Sequence, residues 1–303
     1  LRGPRFHADD GKIERKRWIA WRERLVTDLD RVHERALNHA AYPSGHPSRH
    51  RATSRDLRPL QARDAQALWA RALAADGWHV AINYHSSQAE AEALLGQIQA
   101  DGGDGHLVPG DLRDHGVVEG LIAAAGRDAP PLGLLVNNAS LFENDSALNM
   151  SLQSWNDHQA VNLRAPVFLA RDFARSLAGG RAGVVVNLLD NKMFALNPDF
   201  FSYTIAKYGL LGATKVLAME LAPRVRVCAI APGITLPSTK QSQARFRKAH
   251  ALNPMGKGAT LEQLVAALRF ILSAPALTGE VITIDGGQSL QGMPRDVSFL
   301  AED

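Results

Sequence analysis

The 303-residue chain has one cysteine, Cys228. No intrachain disulfide can form, and its place in the apolar run 225–230 suits a small buried hydrophobe. No run of 18 or more apolar residues occurs, which leaves no candidate for a membrane-spanning helix. The opening residues are charged rather than apolar, against a secretory signal. A reducing, cytoplasmic setting without a membrane partner is expected. Glycine is missing between Gly45 and Gly77, which excludes a glycine-rich turn there, and no acidic side chain stands between Asn83 and Glu90. Internal repeats and low-complexity tracts are also lacking.

A uniform excess of positive charge is missing too, although the formal net charge is +3. Residues 1–71 carry 16 Lys+Arg against 9 Asp+Glu, and the other 232 carry 18 against 22. Basicity therefore belongs to the N-terminal segment, and the mildly acidic remainder offers no nucleic-acid footprint. Hydrophobic residues make up 46%, enough for the core of one large α/β domain plus an extension.

From residue 78 onward short apolar runs alternate with stretches of helical periodicity, the signature of a parallel sheet covered by helices. The pattern predicts strands over 78–83, 105–108, 132–136, 183–189, 225–230 and 280–284. It predicts helices over 87–100, 115–125, 151–177, 201–221 and 260–273. The first 71 residues depart from this scheme. Residues 12–41 suit an amphipathic helix with Trp18, Leu25, Leu29, Val32 and Ala36 on one stripe, and residues 42–59 read as linker. Two divisions are expected, a basic extension over 1–71 and a catalytic domain over 72–303.

Three polar residues stand out in the second division. Tyr203 and Lys207 are four apart at the head of an apolar helical run, so they share a face. A nearby ammonium favours ionisation of a phenol, which suits a Tyr that passes protons near neutral pH. Asp190 ends a buried, strand-like run and would bring its carboxylate to the same place. Around them lie Asn137-Asn138-Ala139-Ser140 after an apolar strand, Asn162 in mid-helix, Ala231-Pro232-Gly233 after another strand and Asp285-Gly286-Gly287 near the end.

In this order, these motifs resemble the short-chain dehydrogenase/reductase family over roughly residues 72–290. The resemblance implies a Rossmann-like doubly wound parallel sheet and a nicotinamide cofactor. It makes Tyr203 the proton donor, with Lys207 lowering its pKa and holding the nicotinamide ribose, and Asn162 supporting the proton relay. Asn137, Asn138, Ala139 and Ser140 would line the nicotinamide ribose. Asp111 and Leu112 would meet adenine, and Pro232, Gly233 and Thr235 would touch the nicotinamide carboxamide. Residues 234–255 would form a substrate lid, and the helices over 151–177 and 201–221 imply a homodimer or homotetramer.

Departures from the family pattern are informative. A dinucleotide fold needs a first strand and a glycine-rich turn so that backbone can approach the pyrophosphate. The resemblance places that turn near residues 59–66, which hold no glycine. The first strand lies centrally in the family's sheet, so its loss would expose edges on both neighbours. We expect that residues 1–71 are not the original start of the domain. A reading-frame shift near residue 70 or a misplaced start would account for them, and Leu1 stands where Met is expected.

After the strand ending near Asn83 come His85, Ser86 and Ser87 rather than an acidic residue. A His and two hydroxyls at a helix start suit a 2′-phosphate, which favours NADPH over NADH; Ser86 and Ser87 also suit a helix N-cap. Most of the family has Ser thirteen residues before the Tyr, where this chain has Asp190. That substitution resembles the pteridine reductase branch, in which an Asp–Tyr–Lys relay protonates nitrogen during C=N reduction. Ser140 and Phe142 resemble its pterin slot. Asp190 could instead stabilise its own turn or pair with Lys192. The expected function is NADPH-dependent hydride transfer to a C=N or C=O carbon of a small molecule such as a pterin, with no metal. The alternatives are a general carbonyl or 3-oxoacyl reductase, and a catalytically silent protein without a phosphate loop.

Overall fold

The computed structural model describes residues 63–236 and 243–300. The helix expected over 12–41, the linker over 42–59 and the lid residues Pro237, Ser238 and Lys240 lie outside the described residues. In chain order the elements are α1 (Arg63–Ala75), β1 (His79–Tyr84), α2 (Gln88–Ala100), β2 (Asp104–Pro109), α3 (His115–Ala125) and β3 (Leu134–Asn137). Then follow α4 (Leu152–Gln159), a π turn (Ala160–Arg164), α5 (Ala165–Ser176), β4 (Gly183–Leu188) and a 3-10 turn (Asn191–Phe194). The remainder comprises α6 (Phe201–Leu221), β5 (Val225–Pro232), α7 (Gln243–Ala251), α8 (Leu261–Ser273), β6 (Val281–Ile284), a 3-10 turn (Gln288–Leu290) and α9 (Val297–Leu300).

All strand pairs are parallel, and they form two sheets rather than one. β1 pairs only with β2, and β3, β4, β5 and β6 lie in that order. The Rossmann-like α/β class expected above is therefore present, with its sheet interrupted between β1 and β3 among the described residues. Residues Val185, Val186, Val227, Cys228 and Ile230 are wholly buried, as strands covered by helices on both faces require. Cys228 is a free buried thiol, as expected.

The helices begin where their caps allow. Asp114 Oδ1 accepts from Gly116 N–H at 2.8 Å to start α3, Ser151 Oγ accepts from Ser154 N–H at 3.0 Å to start α4, and Thr260 forms a capping box with Gln263. Two features differ from the pattern. The helix expected over 151–177 is split by the π turn, where Ala165 N–H bonds to Ala160 O. In addition, α1 buries Trp69, Ala70, Leu73 and Ala74. The expected boundary after residue 71 thus falls inside a helix that packs on the sheet, because its apolar residues recur at helical spacing.

Candidate active site

β4 ends at Leu188, and the chain then turns through Asp190 into the 3-10 turn. Asp190 Oδ1 accepts from Lys192 N–H at 2.8 Å and so caps this turn. Its Oδ2 accepts from Tyr203 Oη–H at 2.7 Å. Stabilising the local turn and meeting the tyrosine are therefore both done by one carboxylate. The bond at Lys192 is made by its backbone; the Lys192 ammonium instead donates to Asp199 O and lies 3.6 Å from Asp296 Oδ2.

Burial sets the proton affinities here. Desolvation raises the Asp190 pKa, opposed by the bonds from Lys192 N–H and Tyr203. Desolvation, and then the neighbouring Asp190 charge, raises Tyr203 well above its ordinary value. Lys207 is brought down to about 8 by burial, with Asp190 opposing. Its Nζ donates to Leu188 O at 2.7 Å and stands 5.8 Å from the Tyr203 ring centroid. The Lys207 ammonium is thus tied to a backbone carbonyl beside the phenol.

The aromatic floor comes from three separate segments. Phe142 stacks on Phe200 with centroids 4.0 Å apart and meets Tyr203 edge-on at 4.7 Å. Phe299 of α9 stacks on Phe200 at 5.9 Å. Phe200 is a non-glycine residue in the left-handed region, at φ 55°, immediately before α6. That conformation costs free energy and must be held by its surroundings. The C-terminal segment supplies part of this hold: Arg295 Nε bonds Asp199 Oδ2 at 2.8 Å, and Asp296 N–H bonds the same oxygen at 2.7 Å. Pattern reading missed Phe200 and Phe299. Only the run Phe200-Phe201 before an expected helix hinted at the first.

The asparagines have definite partners. Asn162 is completely buried; its Oδ1 accepts from Leu141 N–H at 2.9 Å and from Ser140 Oγ at 3.1 Å, and its Nδ2 donates to Leu141 O at 2.8 Å. Its side chain therefore shapes the 140–142 turn that presents Phe142. Asn137 Nδ2 donates to Asn187 Oδ1 at 2.8 Å, inside the sheet. Asn138 Oδ1 accepts from Trp69 Nε1–H at 2.9 Å. Ala139 is exposed beside them.

At the far side of the strands' carboxyl ends, His85 and Ser86 are exposed, and Ser87 stands at the N-cap of α2 without using its hydroxyl for capping. His85 Nε2 lies 3.5 Å from Asp111 Oδ2, and Arg113 holds that carboxyl below the usual range. Leu112 faces the cavity between β1 and β3. Thr235 Oγ1 donates to Gly233 O at 3.0 Å. Gly233, just past Pro232, has no room for a side chain: a Cβ there would come within 2.9 Å of the Asp285 backbone. Asp285 accepts from Gly287 N–H, Ser289 N–H and Asn191 Nδ2, so the Asp285-Gly286-Gly287 motif braces the turn beside Asp190. Among the described residues no group of His, Cys, Asp or Glu is arranged to hold a metal.

A family model described as Enoyl-(Acyl carrier protein) reductase matches residues 67–289. A 3-oxoacyl-[acyl-carrier-protein] reductase of Synechocystis is 30% identical over 222 residues, covering 72% of this chain and 90% of the relative. Among solved structures, FolM Alternative dihydrofolate reductase 1 from Brucella suis, in complex with NADP, is 39% identical with a TM-score of 0.72, covering 77% of this chain and 92% of that one. A short chain dehydrogenase from Burkholderia cenocepacia, also in complex with NADP, is 26% identical with a TM-score of 0.68, covering 75% and 93%. The chain belongs to the short-chain dehydrogenase/reductase family of NAD(P)-dependent oxidoreductases.

Proposed function

We infer that this chain is an NADPH-dependent reductase acting on the C=N carbon of a flat, pterin-like heterocycle. The observation that carries this reading is the 2.7 Å bond from Tyr203 Oη to a buried Asp190 whose pKa is raised. Proton delivery to a ring nitrogen needs a donor and a reservoir behind it. Tyr203 is the donor, and Asp190, bonded to its Oη, stands behind it as the relay. As the substrate nitrogen takes the phenol proton, a proton passed from solvent by way of Asp190 returns to Tyr203 Oη. The Phe142–Phe200 pair offers a flat apolar face beside the phenol for such a ring. The similarity to the FolM protein supports the reading.

The cofactor, when bound, supplies the hydride. His85, Ser86 and the uncapped N-terminus of α2 fit the 2′-phosphate, since exposed N–H groups at a helix start favour an anion. No glycine stands in α1, so the described residues offer no backbone cradle there for the diphosphate. Lys207 lies close enough to Tyr203 to serve the nicotinamide ribose. A homodimer or homotetramer is supported by the exposed apolar row Ile205, Tyr208, Val216 and Met219 on α6.

A second reading, a 3-oxoacyl or general carbonyl reductase, is favoured by the Synechocystis relative. Steady-state rates with NADPH on dihydrobiopterin and on a diketone separate the two. Asp190→Ser is expected to lower pterin turnover by at least about a hundredfold while leaving ketone reduction within a fewfold. Equal losses on both substrates would remove the Asp190 argument. Failure of the unaltered chain to bind NADPH would favour the silent alternative.

A further inference from the structure

Four charged residues meet beside the aromatic floor. Lys192 and Asp199 come from the segment between β4 and α6, and Arg295 and Asp296 from the segment before α9. Lys192 is buried, and a buried ammonium needs partners to offset its lost hydration. Its Nζ donates to Asp199 O at 2.5 Å, stands 3.6 Å from Asp296 Oδ2 and lies 5.2 Å from the Phe200 ring centroid. Arg295 Nε reaches both Asp199 carboxylate oxygens, at 3.0 and 2.8 Å, and its guanidinium lies 4.9 Å from the Phe299 ring centroid. Asp296 grips at both ends, its N–H on Asp199 Oδ2 and its carboxylate beside Lys192.

These contacts do more than anchor a chain end. Phe200 holds a left-handed φ of 55°, which a bulky residue adopts only where its surroundings fix it. Asp199, directly before it, is bound at its carboxylate by Arg295 and Asp296 and at its carbonyl by Lys192. The Phe200 ring is in turn fixed by Phe299 at 5.9 Å and by Phe142 at 4.0 Å. A change of φ at residue 200 would turn this ring away from Phe142. In addition, Val297 is buried, and α9 packs on α7, the helix within the expected lid. Residues 295–300 thus touch the ring-bearing turn and the lid helix at once.

We propose that residues 295–300 form the outer wall of the substrate slot, with Arg295 and Asp296 as positioning residues that latch Phe299 against Phe200 and so set a preference for flat rings. This rests on the reading above that a flat ring lies against Phe142 and Phe200. A stacking face fixed in advance binds a ring without first having to be ordered. A small aliphatic carbonyl compound has no ring to stack and takes nothing from the wall. The latch therefore acts on affinity for flat substrates and not on hydride transfer.

The test measures KM and kcat of the full chain, at saturating NADPH, on dihydrobiopterin, on the flat diketone phenanthrenequinone and on butane-2,3-dione. Arg295→Met is expected to raise KM for both flat rings about tenfold, with their kcat and the KM for butane-2,3-dione within about twofold. Phe299→Ala is expected to match it on the rings, and Phe299→Tyr, which keeps the stack, to stay near the unaltered chain. Equal changes on all three substrates would mean that the segment only stabilises the fold, and would overturn the proposal. So would unchanged KM values in Arg295→Met and Phe299→Ala, or no turnover of phenanthrenequinone by the unaltered chain. If phenanthrenequinone follows the expected pattern while dihydrobiopterin is not reduced, the pterin reading falls and the wall stands.

Discussion

At the residue scale, Lys207 has the clearest thermodynamic consequence. Its pKa falls from 10.5 in a free chain to about 8 in the fold because it is buried. The folded chain therefore holds this proton less tightly than the unfolded one. Below pH 8 the ammonium is charged in both states, and its burial costs about 3 kcal/mol. Between pH 8 and 10.5 the unfolded chain keeps a proton that the folded chain has released, so stability rises with pH; above 10.5 the gain is complete. Urea unfolding across this window is expected to show that rise, and Lys207→Met to flatten it while abolishing turnover. A wild-type profile without the rise would mean that the ammonium keeps its charge inside. Four-residue spacing put Tyr203 and Lys207 on one face, the end of a strand-like run put Asp190 beside them, and the family resemblance alone added Phe142; in the structure Asp190 and Phe142 both meet Tyr203. The direction of the Tyr203 shift was not legible, because it depends on how much water the finished fold excludes, and no four-residue spacing carries that information.

At the scale of elements, the π turn and the 140–142 turn act together. One extra residue in the helical ladder at residues 160–164 accompanies an Asn162 amide directed at Leu141 and Ser140. Asn162→Ala would leave the Leu141 N–H and C=O without those partners, at a cost of about 2 kcal/mol or more. It is also expected to raise KM for a flat substrate, since Phe142 follows directly. A stability loss under about 0.5 kcal/mol would show that water replaces the amide and that the turn stands without it. An asparagine in mid-helix announced a task, but the task was visible only once the loop after β3 was seen to pass it. Strands and most helices were legible to within a few residues, because buried parallel strands read as continuous apolar runs. α1 was less legible, because its stripe of Trp69, Leu73 with Ala70, Ala74 follows a polar stretch instead of an apolar strand.

At the scale of the whole molecule, the cavity between the half-sheets interrupts the packing: its walls are largely apolar and lack the contacts that a densely packed interior makes. Filling it from within offers a direct check. Ala81 lines the cavity from β1, and Ala81→Leu would place three more carbons there, worth about 2 kcal/mol of added stability. Ala81→Leu lowering stability instead would indicate that the space beside β1 is already filled by collapse of the half-sheets, since overpacking a closed core costs about 1–3 kcal/mol. That no strand stands between β1 and β3 among the described residues accords with the sequence, which has no glycine between Gly45 and Gly77 and a polar stretch over 52–58. That β1 and β3 stay apart and keep an open slot is a property of the helices that bridge them, α1 above all, through Gln66 to Asn83 and Trp69 to Asn138.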